Sequence, residues 1–243
     1  KKDIQNFYMN HITHKNMVIS VVGDITPEEL APLLDKTLLG LPKGDKRNQV
    51  KQKPKPIQNF EHIIEKDIPQ ADIIFGHLGI DRHHAQYFAA TVLNHILGGG
   101  ALTSRLGQEV REKRGLAYSV YSYFLPLPQQ GNFTARVQTS NKTAQEAISL
   151  MKAEMHRIQN EPVDKEEFED TISYLTGSFP LRLDSNDKIL GYLSVMQQEG
   201  LGIEYLETWP RKIEKITIED VQKAAQDLLN PDEVITVIVG KPE

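Results

Sequence analysis

Apolar and polar positions near the start of the chain predict a helix, a buried strand and a second helix. Residues 2–12 carry apolar side chains at helical spacing, and residues 17–22 (MVISVV) form a short apolar run that is typical of a buried strand. The run TPEE at residues 26–29 is a strong helix start, with threonine as the N-cap, proline at the first helical position and glutamate closing a capping box. We expect this second helix to end near Leu39, just before a glycine.

Residues 41–59 lack this periodicity and contain three prolines among lysine, glycine and asparagine residues. Proline and polar residues without regularly spaced apolar side chains are typical of an exposed linker. We therefore predict a domain boundary here. The linker occupies residues 46–59 and separates a segment at residues 1–45 from a domain at residues 60–243.

The pattern after the linker alternates between strands and helices. The predicted elements are strands at residues 62–66, 71–76, 117–125, 132–139 and 234–239, helices at residues 82–97 and 103–113, and a mainly helical stretch from residue 142 to residue 229. Breaks in that stretch are expected near Pro162, residues 180–183 and residues 200–202. Alternating side chains in the third and fourth strands predict an antiparallel pair.

The two ends of the chain resemble each other. A helix and a polar corner lead into MVISVVGD near the start, and a helix and a polar corner lead into EVITVIVGKP near the end. Such self-similarity usually indicates a duplicated domain, of which the first copy would be present only as its last part. Coincidence between two ordinary buried strands is the alternative.

Composition excludes several classes of function. The net charge is −5 and the chain has no dense basic block, which argues against a nucleic-acid-binding protein. The absence of cysteine excludes disulfides, thiolate catalysis and cysteine-type zinc sites. No apolar run approaches the roughly 20 residues that a membrane-spanning helix needs, and serine and histidine form no nucleophile–base pattern.

The histidines do not form a recognisable metal site. His11 and His14 have no acidic residue between them, and His83 and His84 are adjacent, so they would point to different sides of a helix. Neither H-x-x-E-H nor H-E-x-x-H occurs, and these are the spacings by which one helix offers two histidines and a glutamate to zinc. Surface positions explain His11 and His14, and His83 and His84 cannot readily chelate one ion.

One helix has the spacing of the H-x-x-E-H motif without its functional groups. Thr91, Asn94 and His95 occupy the places of the first histidine, the glutamate and the second histidine. Threonine is a poor substitute for an imidazole, and an amide cannot take a proton from water. We therefore expect no metal here, and we interpret the glycines at residues 98–100 as a helix end with a flexible corner.

Residues 104–123, SRLGQEVREKRGLAYSVYSY, join a charged helical run to a strand rich in tyrosine and serine. Arg111 lies near the helix end and Tyr118 lies seven positions later at the strand start, so a permanent cation and a phenol could be aimed at the same point. Such a pair can bind a carbonyl oxygen that is acquiring negative charge. Composition alone favours the alternative, in which Arg111 is a surface charge on a helix and Tyr118 is an ordinary strand residue.

Two stretches resemble the pitrilysin/insulinase family of zinc metallopeptidases, and in particular its short bacterial, mitochondrial-processing-peptidase-like members. They are LNHILGGGALTSRLGQEVREKRGLAYSVYS at residues 93–122 and NMVISVVGDITPEEL at residues 16–30. The resemblance covers most of the chain. Its most specific part is the run SRL-x-Q-E-x-R-E-K-R-G-L-A-Y-S-V.

The resemblance implies a role for each part of the chain. Proteins of this family contain two homologous α/β domains, of which the first holds zinc and the second supplies an arginine and a tyrosine. Arg111 and Tyr118 match that pair by position, which implies that they contact the substrate carbonyl and stabilise the tetrahedral oxyanion opposite zinc. Residues 1–45 would be the tail of the zinc-type domain, and residues 60–243 the non-zinc domain.

The fold implied is α/β (α+β), with a mixed, largely antiparallel sheet and helices packed on one face. The function implied is the C-terminal half of a zinc-dependent metalloendopeptidase that hydrolyses peptide bonds. No cofactor is expected in this chain, and zinc is expected in the missing N-terminal domain or in a partner subunit. Because the chain lacks H-x-x-E-H, we expect it to be inactive by itself.

A second interpretation is a non-catalytic structural or partner subunit of the same family, which pairs with a separate zinc-bearing chain. The expected partners are a peptide substrate and a zinc-bearing domain or subunit, in a homodimer or heterodimer, with no nucleic acid and no membrane span. The chain opens with KKDIQNF and no initiator methionine, which is typical of a fragment. We expect a soluble protein and favour the bacterial periplasm over the cytoplasm.

Overall fold

The computed structural model describes residues 1–44, 55 and 60–243. The predicted linker at residues 46–59 therefore lies outside the described residues, apart from Lys55. Contacts group Lys1–Gln52 with Phe179–Tyr205 in one unit, and Lys53–Ser178 with Leu206–Glu243 in a second. The second unit contains the β-sheet and the residues singled out by the sequence.

The described residues form α-helices and β-strands at most of the predicted positions. The helices are α1 (Lys2–His11), α2 (Pro27–Leu38), α3 (Tyr87–Asn94), α4 (Ala144–Asn160), α5 (Lys165–Gly177), α6 (Asn186–Glu199), α7 (Tyr205–Glu214) and α8 (Ile218–Leu228). The strands are β1 (Phe60–Glu65), β2 (Gln70–Leu78), β3 (Ala117–Leu125), β4 (Asn132–Ser140) and β5 (Ile235–Gly240). The predicted breaks in the long helical stretch separate α4 from α5, α5 from α6, and α6 from α7.

Helix α2 of the first unit begins with the predicted capping box. The Glu29 N–H donates to the Thr26 hydroxyl at 3.3 Å, and the Thr26 N–H donates back to the Glu29 carboxylate at 3.0 Å. These two bonds satisfy backbone donors that a helix start otherwise leaves unpaired. The sequence signal at residues 26–29 is therefore confirmed.

The predicted buried strand at residues 17–22 is wrong. This segment carries no strand assignment, and Val18, Ile19 and Val21 are each at least two-fifths exposed. A strand requires hydrogen bonds to a neighbouring strand, and no strand of the described residues pairs with this segment. The apolar pattern is therefore present without the sheet that would bury it.

The five strands of the second unit form one sheet in the order β1-β5-β2-β4-β3. Strand β1 runs parallel to β5, whereas the other neighbours are antiparallel, including the predicted pair of β3 and β4. Strand β3 therefore lies at one edge of a mixed, largely antiparallel sheet, as the sequence analysis expected.

One face of this sheet carries the core and the other face is open. Ile73, Phe75, Phe133 and Val137 point from β2 and β4 to the same side and are fully buried. Helix α4 contacts β2 and β4 on that side, and α3 and α4 both pack against α8. On the opposite face Ile74 is 41% exposed. The predicted one-sided helical layer is confirmed.

Two helices beside β3 differ from their prediction. The helix expected at residues 82–97 begins only at Tyr87, because residues 81–86 form turns in which the Asp81 carboxylate accepts the His83 N–H at 2.9 Å. The helix continues past Asn94 as a wider π-helical turn, His95–Gly99. The helix expected at residues 103–113 is likewise mainly a π-helical segment, Gly107–Glu112.

Long apolar helices are not a feature of this fold. Among the residues described, no helix combines the length and the apolar composition that crossing a bilayer requires. The longest stretch of α-helix there is α4, with 17 residues.

One half-buried histidine on β2, His77, links the sheet to the turn before β5. The His77 Nδ1–H donates to the Leu78 carbonyl at 2.8 Å, and Nε2 accepts the Asn230 N–H at 3.1 Å. The ring also stacks on Phe133 at a centroid separation of 5.0 Å. Burial lowers the pKa of His77 from its ordinary value of 6.5, although the bond to Leu78 opposes this effect.

We predict that His77 makes the folded state less stable in acid. Because the pKa of His77 is lower in the folded than in the unfolded chain, its contribution is complete above pH 6.5 and is lost as the pH falls. Urea unfolding across about pH 5 to 8 should show this loss. The free energy of unfolding should change less steeply with pH in His77→Gln, whose side chain does not titrate. An equal pH dependence in both proteins would contradict the assignment.

Candidate functional site

Arg111 is held by the π-helical segment that precedes β3. The Lys113 N–H donates to the Gln108 carbonyl at 2.9 Å, five residues back, which is the bond that widens an α-turn into a π-turn. The chain then reverses at Gly115, whose φ of +62° is a conformation that glycine adopts without steric cost. The Gly115 N–H donates to the Arg111 carbonyl at 2.9 Å and fixes the corner.

Tyr118 is turned outward by a β-bulge at the start of β3. Ala117 pairs with Thr139 and Ser119 pairs with Gln138, so Tyr118 is the extra residue between them. Without the bulge, the alternation that buries Val120 would also bury Tyr118. Instead the Tyr118 side chain is 85% exposed.

The structure brings Arg111 and Tyr118 together. The guanidinium carbon of Arg111 lies 4.8 Å from the centre of the Tyr118 ring, over its face. This cation–π contact is attractive because the ring face is electronegative. Arg111 is 34% exposed and lies 3.5 Å from the Glu112 carboxylate, so the charge is partly balanced without being buried. Both polar ends therefore remain accessible beside each other.

The pair opens onto a cavity of about 350 Å³ along β3. One wall contains Arg111 and the β3 residues from Tyr118 to Tyr123. The facing wall is formed mainly by small residues that lie between α3 and the second π-helical segment. The cavity is thus bounded by backbone on one side and by aromatic and hydroxyl side chains on the other.

Two glycines permit this close arrangement. A Cβ on Gly98 would lie 2.4 Å from the Ser122 hydroxyl and 2.6 Å from the Ser122 backbone nitrogen. A Cβ on Gly107 would lie 2.1 Å from the Ala101 carbonyl oxygen. Any larger residue at either position would push a π-helical segment away from its neighbour. The glycine corner noted in the sequence therefore serves helix–strand packing.

Glu109 stabilises the corner between Arg111 and Tyr118 by binding two basic residues of that corner. Its carboxylate accepts from Lys113 and from Arg114, each at 2.5 Å, and Arg114 also donates to the Glu109 carbonyl at 2.9 Å. The hydrogen bonds to Lys113 and Arg114 lower the pKa of Glu109. These ion pairs were not predicted, although the spacing E-x-x-x-K-R in residues 109–114 contains them.

A second ion pair ties the start of the same segment to α5. Arg105 is only 7% exposed, and its guanidinium donates to both oxygens of the Glu167 carboxylate, with the shortest contact at 2.8 Å. A bidentate arginine–carboxylate pair fixes orientation as well as distance. Arg105 and Glu109 therefore anchor the segment at two points, one just before it and one within its first turn.

The positions of the degenerate zinc motif are occupied by other interactions. The Thr91 hydroxyl donates to the Tyr87 carbonyl at 2.9 Å, and the Asn94 side-chain oxygen accepts from the Ser122 hydroxyl at 2.9 Å. The His95 ring stacks on Tyr174 at 4.9 Å. In the part of the chain that the structure describes, no three His, Cys, Asp or Glu residues are placed to hold a metal ion. These residues do not fit zinc.

The fold and this arrangement define an α/β domain of the metallopeptidase type that has no metal-ligand set of its own in the described residues. The family described as "Peptidase M16 inactive domain" matches residues 1–175, which is most of the chain. The chain belongs to this family. The resemblance inferred from residues 16–30 and 93–122 is therefore confirmed.

Named relatives agree with this assignment. An uncharacterized zinc protease of Streptomyces coelicolor is 26% identical over 97% of this chain and 52% of its own length. An uncharacterized zinc protease of Rickettsia bellii is 31% identical over 67% of this chain and 39% of its own length. The chain thus spans about half or less of the curated relatives that it matches.

Solved structures extend the comparison to the fold. The peptidase M16 inactive domain from Pseudomonas fluorescens superimposes with a TM-score of 0.89 and 31% identity, over all of this chain and 57% of that one. A protease from Helicobacter pylori superimposes with a TM-score of 0.85 over 98% of this chain and 58% of that one, at 19% identity. The second match shows the shared fold.

We predict that Gly115→Ala lowers the free energy of unfolding by about 1 kcal/mol, because alanine is strained at positive φ. No atom lies within 4 Å of the Cβ that this change adds, so the cost is confined to the backbone. Gly177→Ala is the matched control, since it also meets no atom but lies in α5, where alanine is favoured. Urea denaturation of both variants measures the difference. Equal effects would show that the corner is not constrained.

We also predict that the 243-residue chain does not retain zinc. Thr91 and Asn94 offer no imidazole or carboxylate, so dialysis against a weak chelator should leave far less than one equivalent of metal per chain. Elemental analysis by mass spectrometry measures the content. The variant Thr91→His with Asn94→Glu restores the H-x-x-E-H spacing and serves as the comparison. Stoichiometric zinc in the unmodified chain would contradict the prediction.

Proposed function

We propose that this chain is the C-terminal, non-zinc half of a zinc-dependent metalloendopeptidase. In this proposal Arg111 and Tyr118 bind the carbonyl group of the scissile peptide and stabilise the oxyanion that forms on it. The observation that carries the proposal is the contact between the guanidinium and the exposed phenol ring, 4.8 Å apart at the mouth of a cavity. Membership of the M16 inactive-domain family supports it.

The chemistry of the two side chains suits a developing negative charge. When water attacks a peptide carbonyl, its oxygen becomes an alkoxide that requires donors or positive charge. The Tyr118 hydroxyl can donate one hydrogen bond, and Arg111 offers several N–H donors and a permanent charge. Their stacking restricts both side chains before substrate arrives, so less conformational freedom is lost in the transition state.

The metal is proposed to come from another domain or subunit. The described residues lack a metal-ligand set, and Thr91, Asn94 and His95 make other contacts. In the proposed enzyme, the zinc-bearing half supplies the metal and the base that activates water. The role of this chain is confined to binding the substrate, orienting its carbonyl and balancing charge.

Residues 1–45 are proposed to be the tail of the zinc-type domain. Two observations on the first unit support this division. On α1, Ile4 is 74% exposed and Phe7 is 61% exposed, and the apolar segment at residues 17–22 has no strand partner in the described residues. Exposed apolar surfaces of this kind are usually covered in the assembled protein. Relatives about twice as long as this chain are consistent with a preceding domain.

We predict that Tyr118→Phe in the complete enzyme lowers kcat about a hundred-fold, which is the usual cost of removing one oxyanion donor. Because the side chain is 85% exposed, the melting temperature should change little. Hydrolysis of a fluorogenic peptide and a thermal melt measure the two effects. Tyr123→Phe is the matched control, since Tyr123 lines the same cavity but has no assigned role in catalysis. Unchanged turnover in Tyr118→Phe would refute the assignment.

The same preparation tests the alternative, in which the chain belongs to a non-catalytic subunit that pairs with a separate zinc-bearing chain. A protein that hydrolyses the peptide when purified alone supports the first proposal. Activity that appears only when a zinc-bearing partner copurifies supports the partner-subunit form. A stable assembly with no peptidase activity supports the structural form.

A further inference from the structure

An acidic side chain is buried next to the segment that carries Arg111. Glu154 lies on α4, which packs against the π-helical segment Gly107–Glu112, and it is only 6% exposed. Removing a carboxylate from water costs free energy unless opposite charges and hydrogen bonds compensate for it. The compensation that Glu154 receives therefore shows whether this residue serves the stability of the fold.

The compensation of this carboxylate is incomplete. The Arg157 guanidinium donates to one oxygen of Glu154 at 3.1 Å, but Arg157 is itself exposed, and its Nε lies 3.3 Å from the Glu161 carboxylate. The second oxygen of Glu154 is buried and has no hydrogen-bond partner within the described ranges. The buried carboxylate thus relies on an exposed arginine that it shares with a second acid.

Two charges on the facing part of the chain also act on Glu154. The Arg105 guanidinium attracts its carboxylate, and the Glu109 carboxylate repels it. Arg105, just before the π-helical segment, likewise has a buried atom, Nη1, without a hydrogen-bond partner among the residues described. Because the repulsion opposes an approach of Glu109 to α4, it favours the observed contacts of Glu109 with Lys113 and Arg114.

The ionised form of Glu154 lowers the stability of the fold. Burial raises the pKa of Glu154 above its ordinary value of 4.5, and Glu109 adds to this effect while Arg157 and Arg105 oppose it. The contribution of Glu154 to stability is therefore complete below pH 4.5 and is lost as the pH rises through the pKa of the folded chain. Residues that cost stability are common at functional sites.

We propose that Glu154 is a positioning residue that orients Arg111 over Tyr118. Its ionised carboxylate attracts Arg105 just before the π-helical segment and repels Glu109 within the first turn. These two forces hold the segment in the turn that directs Arg111 toward Tyr118. The inference rests on the proposed function, because it assigns Glu154 to the same reaction. Glu154 acts through the segment and makes no contact with the substrate.

Steady-state kinetics of Glu154→Gln in the complete enzyme test the proposal. Glutamine keeps the size of the side chain and an acceptor for Arg157 but carries no charge. For a fluorogenic peptide, kcat should fall about tenfold while KM changes little. The melting temperature should not fall, because a buried charge is removed. Glu161→Gln is the matched control, since it removes a carboxylate from the same arginine at a position that is 65% exposed, and it should leave kcat unchanged.

A double-mutant cycle separates positioning from general damage. If Glu154 acts through Arg111, Glu154→Gln should have no further effect on kcat in a background of Arg111→Ala. A residue that merely stabilises the fold would lower kcat equally in both backgrounds. If Glu154→Gln does not fold, Glu154→Asp replaces it, because aspartate keeps the charge but withdraws it from the segment.

NMR of Arg111 tests the geometry independently of catalysis. In the complete enzyme labelled with ¹³C and ¹⁵N at arginine, the ring current of Tyr118 shifts the side-chain resonances of Arg111, which Arg111→Ala identifies. This ring-current shift should become smaller in Glu154→Gln and stay the same in Glu161→Gln.

Three outcomes overturn the proposal. They are an unchanged ring-current shift in Glu154→Gln, equal losses of kcat in the two backgrounds, and an unchanged kcat in Glu154→Gln where Arg111→Ala lowers it. A smaller ring-current shift together with unchanged turnover in Arg111→Ala would leave the positioning role of Glu154 standing. That result would refute only the role of Arg111 at the oxyanion.

Discussion

The site depends on the corner that joins the π-helical segment at residues 107–112 to β3. On one side of the corner the Glu109 carboxylate binds Lys113 and Arg114, and at its centre Gly115 adopts a φ of +62°. On the other side the bulge turns Tyr118 outward. Each device is local, yet only their combination sets a guanidinium over a phenol ring at a cavity mouth. If the corner were flexible, Arg111 and Tyr118 would separate into solvent, because an exposed cation–π contact contributes only about 0.5–1 kcal/mol.

Much of the fold could be predicted from the sequence because its signals are local. The capping box at residues 26–29, the alternation in β3 and β4, and the prolines and glycines between the later helices all act within a few residues. The prediction of a buried strand at residues 17–22 failed because an apolar run forms a buried strand only where a neighbouring strand pairs with it. Burial depends on what pairs with a strand, and periodicity carries no information about that.

The site was predicted in part. The seven-residue spacing placed Arg111 and Tyr118 near each other, and the structure brings them into contact. The π-turns were missed because a single extra residue leaves no trace in an α-helical periodicity. The bulge has a signal that could have been used, since the buried Ala117 and Val120 are three residues apart where a regular strand requires two or four. The ion pairs of Glu109 also become visible once the corner is known.

A π-turn holds one residue more than the α-turn that it replaces. Loss of a single residue from residues 107–112 would therefore restore the narrower α-turn without rotating the chain that follows it. The deletion would shorten the segment that carries Arg111 and would leave the sequence of the corner and of β3 unchanged. The position of this cation is thus encoded in a count of residues as well as in their identity.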